Sequence, residues 1–148
     1  MKLVIGCDHG GLVLKDELRK RLEAAHYEVL DCGVFTPDMV DYPDVAVKTI
    51  HTMFAGGYDA GILICGTGIG MSIAANKIPG VRAALCSDVY SAKMARAHND
   101  ANVITLGART LGVELAWEIV KAYLGESFLG GIHQGRVEKL NAMGCAKA

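Results

Sequence analysis

The chain has 148 residues, 51% of them hydrophobic and only 6% aromatic, with a formal net charge of -1. That length suits one domain with an aliphatic core, spanning residues 1–148. With no basic run, no apolar run of membrane-spanning length and no CxxC pair among its five cysteines (Cys7, Cys32, Cys65, Cys86 and Cys145), the composition speaks against nucleic acid, membrane, disulfide framework and structural zinc.

Short apolar runs alternate with helical patterns along the whole chain. "KLVIGC" (2–7) predicts a first strand, and Met1 leads straight into it with no signal-peptide pattern. Leu14, Leu18 and Leu22 then recur at the spacing of one helix face. "YEVLDC" (27–32) predicts a second strand, followed by a loop holding Pro37, Asp41, Tyr42 and Pro43. A helix is expected from about 44 to 54, stopped by Gly56-Gly57. "AGILIC" (60–65) is the third strand, running through glycines into a helix that ends near Lys77. "VRAALC" (81–86) is the fourth, and Asp88 is placed to cap a helix ending near Asn99. "NVITLG" (102–107) is the fifth, and Val113, Ala116, Trp117, Val120 and Leu124 follow at helical spacing. After the break "LGGIHQG", a last helix is expected from about Arg136 to Ala146. Strand and helix alternating five times imply a three-layer α/β/α domain with a five-stranded parallel sheet, plus a C-terminal helix. The runs are apolar throughout rather than alternating, as strands covered on both faces are.

In such sheets ligands bind beyond the carboxyl ends of the strands. Those ends carry "CDHGG", "CGTGIG", "CSDVYS" and "GART". The glycine stretch Gly66, Gly68, Gly70 is not a dinucleotide fingerprint, since the third glycine position of GxGxxG is Met71, and it lacks the Gly-Lys-Ser/Thr of a Walker A loop. It is either an anion-binding strand-to-helix turn or a turn that needs glycine for its backbone alone. Cys65 at its edge is either a core thiol or, as a thiolate beside helix-start amides, a base or nucleophile. Asp8 and His9 are poor core material at the end of a buried strand, with capping as their plainer explanation. His98 and Asn99 close a helix, where the dipole favours a cation and capping competes with catalysis. His9, Cys65 and His98 lack metal-ligand spacing, so no metal is expected.

Six motifs in order, "GCDHGG" (6–11), "DYPD" (41–44), "ICGTGIGMSIAANK" (64–77), "GVRAAL" (80–85), "AHNDANV" (97–103) and "HQGRV" (133–137), make nearly the whole chain resemble the ribose-5-phosphate isomerase B family, which includes allose- and galactose-6-phosphate isomerases. The "HND" segment is more similar to the ribose branch. The resemblance implies a Rossmann-like fold, isomerisation of ribose 5-phosphate to ribulose 5-phosphate with a six-carbon or modified aldose phosphate as the alternative substrate, no cofactor, a cytoplasmic location, and a homodimer with shared active sites, a tetramer being the alternative.

The resemblance also implies roles. Cys65 matches the base and Thr67 a hydroxyl that moves protons between the substrate oxygens. Gly66, Gly68 and Gly70 match the turn that holds the enediolate oxygen. Asp8 and His9 match groups around the sugar hydroxyls and phosphate, and Tyr42 a pocket wall. His98 matches the residue that helps open the furanose ring, with Asn99 beside it from the partner subunit. Arg109, His133 and Arg136 match positive groups near the phosphate. One departure stands out: Ile132 occupies a position where ribose-phosphate members commonly carry arginine. A phosphosugar-binding module with a redox-sensitive Cys65 is the rival reading, and a nucleotide- or flavin-binding domain a third that lacks its phosphate fingerprint.

Overall fold

A computed structural model describes residues 1–143. Five strands, β1 (Lys2–Cys7), β2 (Glu28–Asp31), β3 (Ala60–Cys65), β4 (Ala83–Leu85) and β5 (Val103–Gly107), form one sheet in the order β2-β1-β3-β5-β4. Every pairing is parallel. Between and after them lie α1 (Leu12–Ala24), α2 (Tyr42–Ala55), α3 (Ile69–Ala75), α4 (Val89–Asn99), α5 (Val113–Leu124) and α6 (Gln134–Met143).

The three layers follow from side-chain alternation on the strands. Leu3, Ile5, Ile62, Ile64, Ile104 and Leu106 face one layer and pack with Leu14, Leu18 and Leu22 of α1, the alanines of α4, and Ile119, Val120 and Tyr123 of α5. Val4, Leu63, Cys65 and Val103 face the other and meet Ile50 and Met53 of α2 and Met71 of α3. Each of the three α1 leucines is buried, which is worth roughly 1.5–3 kcal/mol apiece. This double coverage is why the strands read as unbroken apolar runs.

Element ends differ from the sequence expectations in small ways. β4 keeps only three residues, because it is an edge strand paired with β5 alone. Beside it the Asn76 side chain bonds both the N–H and the C=O of Ala83, standing in for a further strand. Helix α2 begins at Tyr42, two residues early, with Pro43 in its first turn, where a missing N–H costs nothing. Asp88 caps α4 as expected, accepting from the Ser91 N–H at 2.7 Å, a contact worth about 1 kcal/mol. The end of the last helix, as far as Ala146, lies outside the described residues, as does Cys145.

The strand order also sets where a ligand can enter. From β1 the chain moves to β2 on one side, then crosses back to β3 on the other. The helices that make these two crossings lie on opposite faces, which makes the ends of β1 and β3 the switch point where sheets of this kind place a ligand crevice. Cys7 and Cys65 end those strands.

Candidate active site

Beyond β1 the backbone of Asp8 stays extended, and its carboxylate accepts from the Gly11 N–H at 3.1 Å, closing a short 3₁₀ turn over His9–Gly11. The expected capping role of Asp8 is therefore present, and the residue is buried at the end of β1. His9 accepts at Nδ1 from the Val40 N–H at 3.4 Å, a contact supplied by the loop after β2. That loop ends in Tyr42, whose ring lies against Gly70.

Beyond β3 comes the glycine turn. Gly68 has φ +76°, a left-handed conformation that favours glycine. A Cβ there would also sit 2.6 Å from Leu85 Cδ1 and 2.9 Å from the Leu106 carbonyl carbon. This turn points the Gly68 N–H at Cys65 Sγ, 3.1 Å away. Thr67, exposed at the apex, accepts from the Ile69 N–H through its hydroxyl at 3.4 Å. Residues after β5 hold the turn from the side, with Ala108 N–H on the Cys65 carbonyl (2.8 Å) and Arg109 N–H on that of Gly66 (2.9 Å). The Arg109 side chain then folds across Gly66.

Cys65 differs in chemistry from its neighbours. Cys32 and Cys86 donate their S–H groups to carbonyls two residues back, whereas the Cys65 sulfur accepts. A backbone donor aimed at sulfur suits a group that carries negative charge while it handles a proton.

His98, Asn99, His133 and Arg136 are not in this crevice. α4 starts beyond the carboxyl end of β4 and runs back to the start of β5, so its last turn lies at the opposite edge of the sheet. The five residues of β5, at about 3.3 Å each, separate the two edges by ~15 Å. There the His98 and His133 rings stack with centroids 4.0 Å apart and planes 10° apart. Partial burial, then the neighbouring His98 and Arg136, hold His133 below the usual histidine range. The chain thus carries two separate clusters: Asp8, His9, Tyr42, Cys65–Gly70 and Arg109 at one edge, and the histidine pair with Asn99 and Arg136 at the other. His9, Cys65 and His98, weighed above as metal ligands, are split between them. No group of three or more metal-ligating side chains forms among the described residues.

Two contributors escaped the sequence reading. The Val40 N–H is a backbone group and leaves no residue-type signal. Arg82 does leave one, in "GVRAAL". Its guanidinium bonds the Asn99 and Asp100 carbonyls, the Asp100 carboxylate and Asn141 Oδ1, clamping the end of α4 to α6.

A doubly wound domain with a thiol, a hydroxyl and a glycine turn at its switch point can take a proton from carbon and steady the oxyanion that results. Residues 3–140 match the model of the Ribose/Galactose Isomerase family, and the chain belongs to that family. It is 48% identical to ribose-5-phosphate isomerase B of Escherichia coli, over 96% of this chain and 95% of that protein. It is 45% identical to a D-erythrulose-4-phosphate isomerase of Pectobacterium atrosepticum, over 95% of this chain and 93% of that one. Among solved structures, ribose-5-phosphate isomerase B of Clostridium thermocellum superposes with a TM-score of 0.94 at 49% identity, covering 97% of each chain.

Proposed function

We propose that this chain is an aldose–ketose isomerase interconverting ribose 5-phosphate and ribulose 5-phosphate through an enediolate. The observation that carries the chemistry is Cys65 Sγ at the β1/β3 crevice, under the Gly68 N–H, in the turn that also carries the Thr67 hydroxyl. In the open-chain aldose, Cys65 as thiolate takes the proton from C2, and the electron pair moves onto the carbonyl oxygen. The Thr67 hydroxyl passes a proton between O2 and O1, the turn of Gly66, Gly68 and Gly70 steadies the oxyanion, and the Cys65 thiol returns its proton to C1. Asp8, His9 and Tyr42 border the sugar. Arg109 offers positive charge from the near edge. Conversion of ribose 5-phosphate to ribulose 5-phosphate by the purified protein tests the reading; binding without turnover would leave a phosphosugar-binding module instead.

The second cluster enters through a partner. We read the protein as a homodimer in which His98, Asn99, His133 and Arg136 of one subunit complete the crevice of the other, with His98 opening the furanose ring. What supports this is that a single chain holds the two clusters at opposite edges of its sheet, and that paired clusters of this kind are satisfied reciprocally by two-fold symmetry. A base that must remain a thiol suits a reducing compartment, which supports a cytoplasmic location.

Two expected results bear on the substrate site. Ile132 is exposed, immediately before His133 in the short 3₁₀ turn Gly131–His133. An arginine there would add a charge-assisted contact to phosphate worth about 1.5–3 kcal/mol. Ile132→Arg should therefore lower KM for ribose 5-phosphate by roughly ten- to a hundred-fold, with kcat little changed. An unchanged or raised KM would mean that other groups hold the phosphate and that Ile132 marks a different substrate geometry. A panel of four-, five- and six-carbon aldose phosphates measured alongside would show which geometry that is. Separately, exhaustive chelation should leave turnover unchanged, because thiol, hydroxyl and amides provide base, proton path and oxyanion support. Loss of activity restored by one divalent ion would overturn that.

A further inference from the structure

Lys15, on α1, is fully buried, an uncommon state for a lysine. Its Nζ lies 2.7 Å from Asp31 Oδ2 and 3.3 Å from Asp16 Oδ1, donates to the Val34 carbonyl at 2.8 Å, and sits 4.6 Å from the centre of the Phe35 ring. Burial works against its charge, but the hydrogen bond and charge of Asp31, together with Cys7 and Asp16, outweigh it and hold the ammonium above the usual lysine range. A buried ion pair is a poor device for stability alone, since apolar residues of similar volume commonly hold a fold as well or better. Apart from Asp16 on its own helix, the contacts of this ammonium have a common destination: Asp31 ends β2, and Val34 and Phe35 lie in the loop that leaves it for the crevice.

The loop is bound to β1 along its first part. Cys32 N–H donates to the Ile5 carbonyl at 2.8 Å and Val34 N–H to that of Cys7 at 3.2 Å. Between them Gly33 runs so close that a Cβ would lie 2.7 Å from the Cys7 nitrogen and 3.1 Å from Lys15 Cδ. Asp31 fastens the same residue, its Oδ1 accepting from the Gly33 N–H at 3.0 Å. Farther along, Val40 donates its N–H to His9 Nδ1, and the loop ends in Tyr42 against Gly70. The chain from the Lys15 anchor to the crevice is therefore continuous, and Cys7, onto whose carbonyl the loop bonds, directly precedes Asp8 and His9.

We propose that Lys15 is a positioning residue for the reaction: bonded to Asp31 and the Val34 carbonyl, it sets the course of residues 32–41 and thereby orients His9 and Tyr42 toward the sugar phosphate. This rests on the reading above that His9 and Tyr42 border the substrate. The role predicts loss of substrate binding more than of chemistry, because the hydrogen bonds that hold Cys65 and its turn come from the turn itself and from the residues after β5, while this loop only packs against them.

The test uses Lys15→Met and the double variant Lys15→Met/Asp31→Asn, whose amide oxygen keeps an acceptor for Gly33 while removing the stranded carboxylate. Both are assayed on ribose 5-phosphate for KM and kcat, with Tm and the His9 imidazole nitrogen shifts by NMR beside them. Lys15→Met should raise KM by about ten-fold with kcat within about three-fold, the pattern of lost uniform binding. The double variant should regain most of the Tm yet keep the raised KM, and in both the His9 shifts should move from a single Nε2–H tautomer toward an average of two. A structural role makes other outcomes: KM returning to wild type together with Tm, or a lower kcat from a smaller active fraction at unchanged KM. Either overturns the proposal, as does failure of both variants to fold. If the wild-type protein does not turn over ribose 5-phosphate, the functional reading falls, and the His9 shifts alone then decide: unmoved shifts overturn the role of Lys15, and moved shifts sustain its orientation of His9.

Discussion

Replacing Cys65 with alanine should lower kcat for ribose 5-phosphate by about 10²–10⁴-fold, the usual contribution of a positioned general base. The expectation follows from the place of the sulfur, at a strand end over the switch-point crevice with the Gly68 N–H directed onto it. Removing one sulfur atom from a site only 5% exposed should cost about 1 kcal/mol of stability, so the variant remains folded and the loss can be read as chemistry. KM should change little, since alanine leaves Asp8, His9, Tyr42 and Arg109 in place. In the wild-type protein, turnover in deuterated water should carry solvent deuterium into the product, because a thiol that holds the proton between two carbons can exchange it. A variant that keeps more than a few per cent of wild-type kcat would remove Cys65 from the role of base. Product free of deuterium would point to hydride transfer instead.

Mixing two inactive variants should restore activity. In a Cys65→Ala homodimer neither site has its base, and in a His98→Ala homodimer neither has its ring-opening histidine. A mixed dimer pairs the Cys65 of one chain with the His98 of the other in one of its two sites. Randomly reassorted subunits give mixed dimers in about half of cases, so recovery should approach about one quarter of the wild-type rate. The prediction depends on the direction of α4, which carries His98 to the edge of the sheet away from its own Cys65. Mixed dimers shown to form yet inactive would mean that each site is built within one chain. An acyclic aldose phosphate, which has no ring to open, should bypass the defect of His98→Ala and leave that of Cys65→Ala untouched.

Much of the fold and part of the site are legible in the linear chain, for reasons that particular residues make plain. β1 and β3 begin and end where their apolar runs do, because both faces of each strand are covered and the switch to polar or glycine residues coincides with the sheet edge. The leucine stripe of α1 and the Asp88 cap of α4 are local signals, set by helix periodicity and by one side chain bonding a backbone three residues ahead. β4 is less legible: "VRAALC" looks like a six-residue strand, but with one neighbour only three residues complete a ladder. The start of α2 moved for a similar reason, since a proline is compatible with a first helical turn and does not have to precede it.

The alternation of strands and helices, the parallel sheet, the glycine turn after Cys65 and the set of chemically capable residues are written in the linear chain, because each depends on spacing and side-chain type within a short stretch. Which of those residues share a place depends on the packing of the whole fold. Order in the sheet puts β1 beside β3, and so brings Asp8 and His9 to the end of the sheet where Cys65 and Thr67 lie, although more than fifty residues separate them in the chain. The same topology turns α4 back along the sheet and sends His98, Asn99, His133 and Arg136 to the far edge. Lys15 shows the limit most clearly: among the leucines of α1 it reads as one more solvated charge, and only packing reveals it buried on Asp31 beneath the loop that ends at the crevice. Burial and partnership of that kind are set by contacts distant in sequence, and the spacing of residues along a chain carries no record of them.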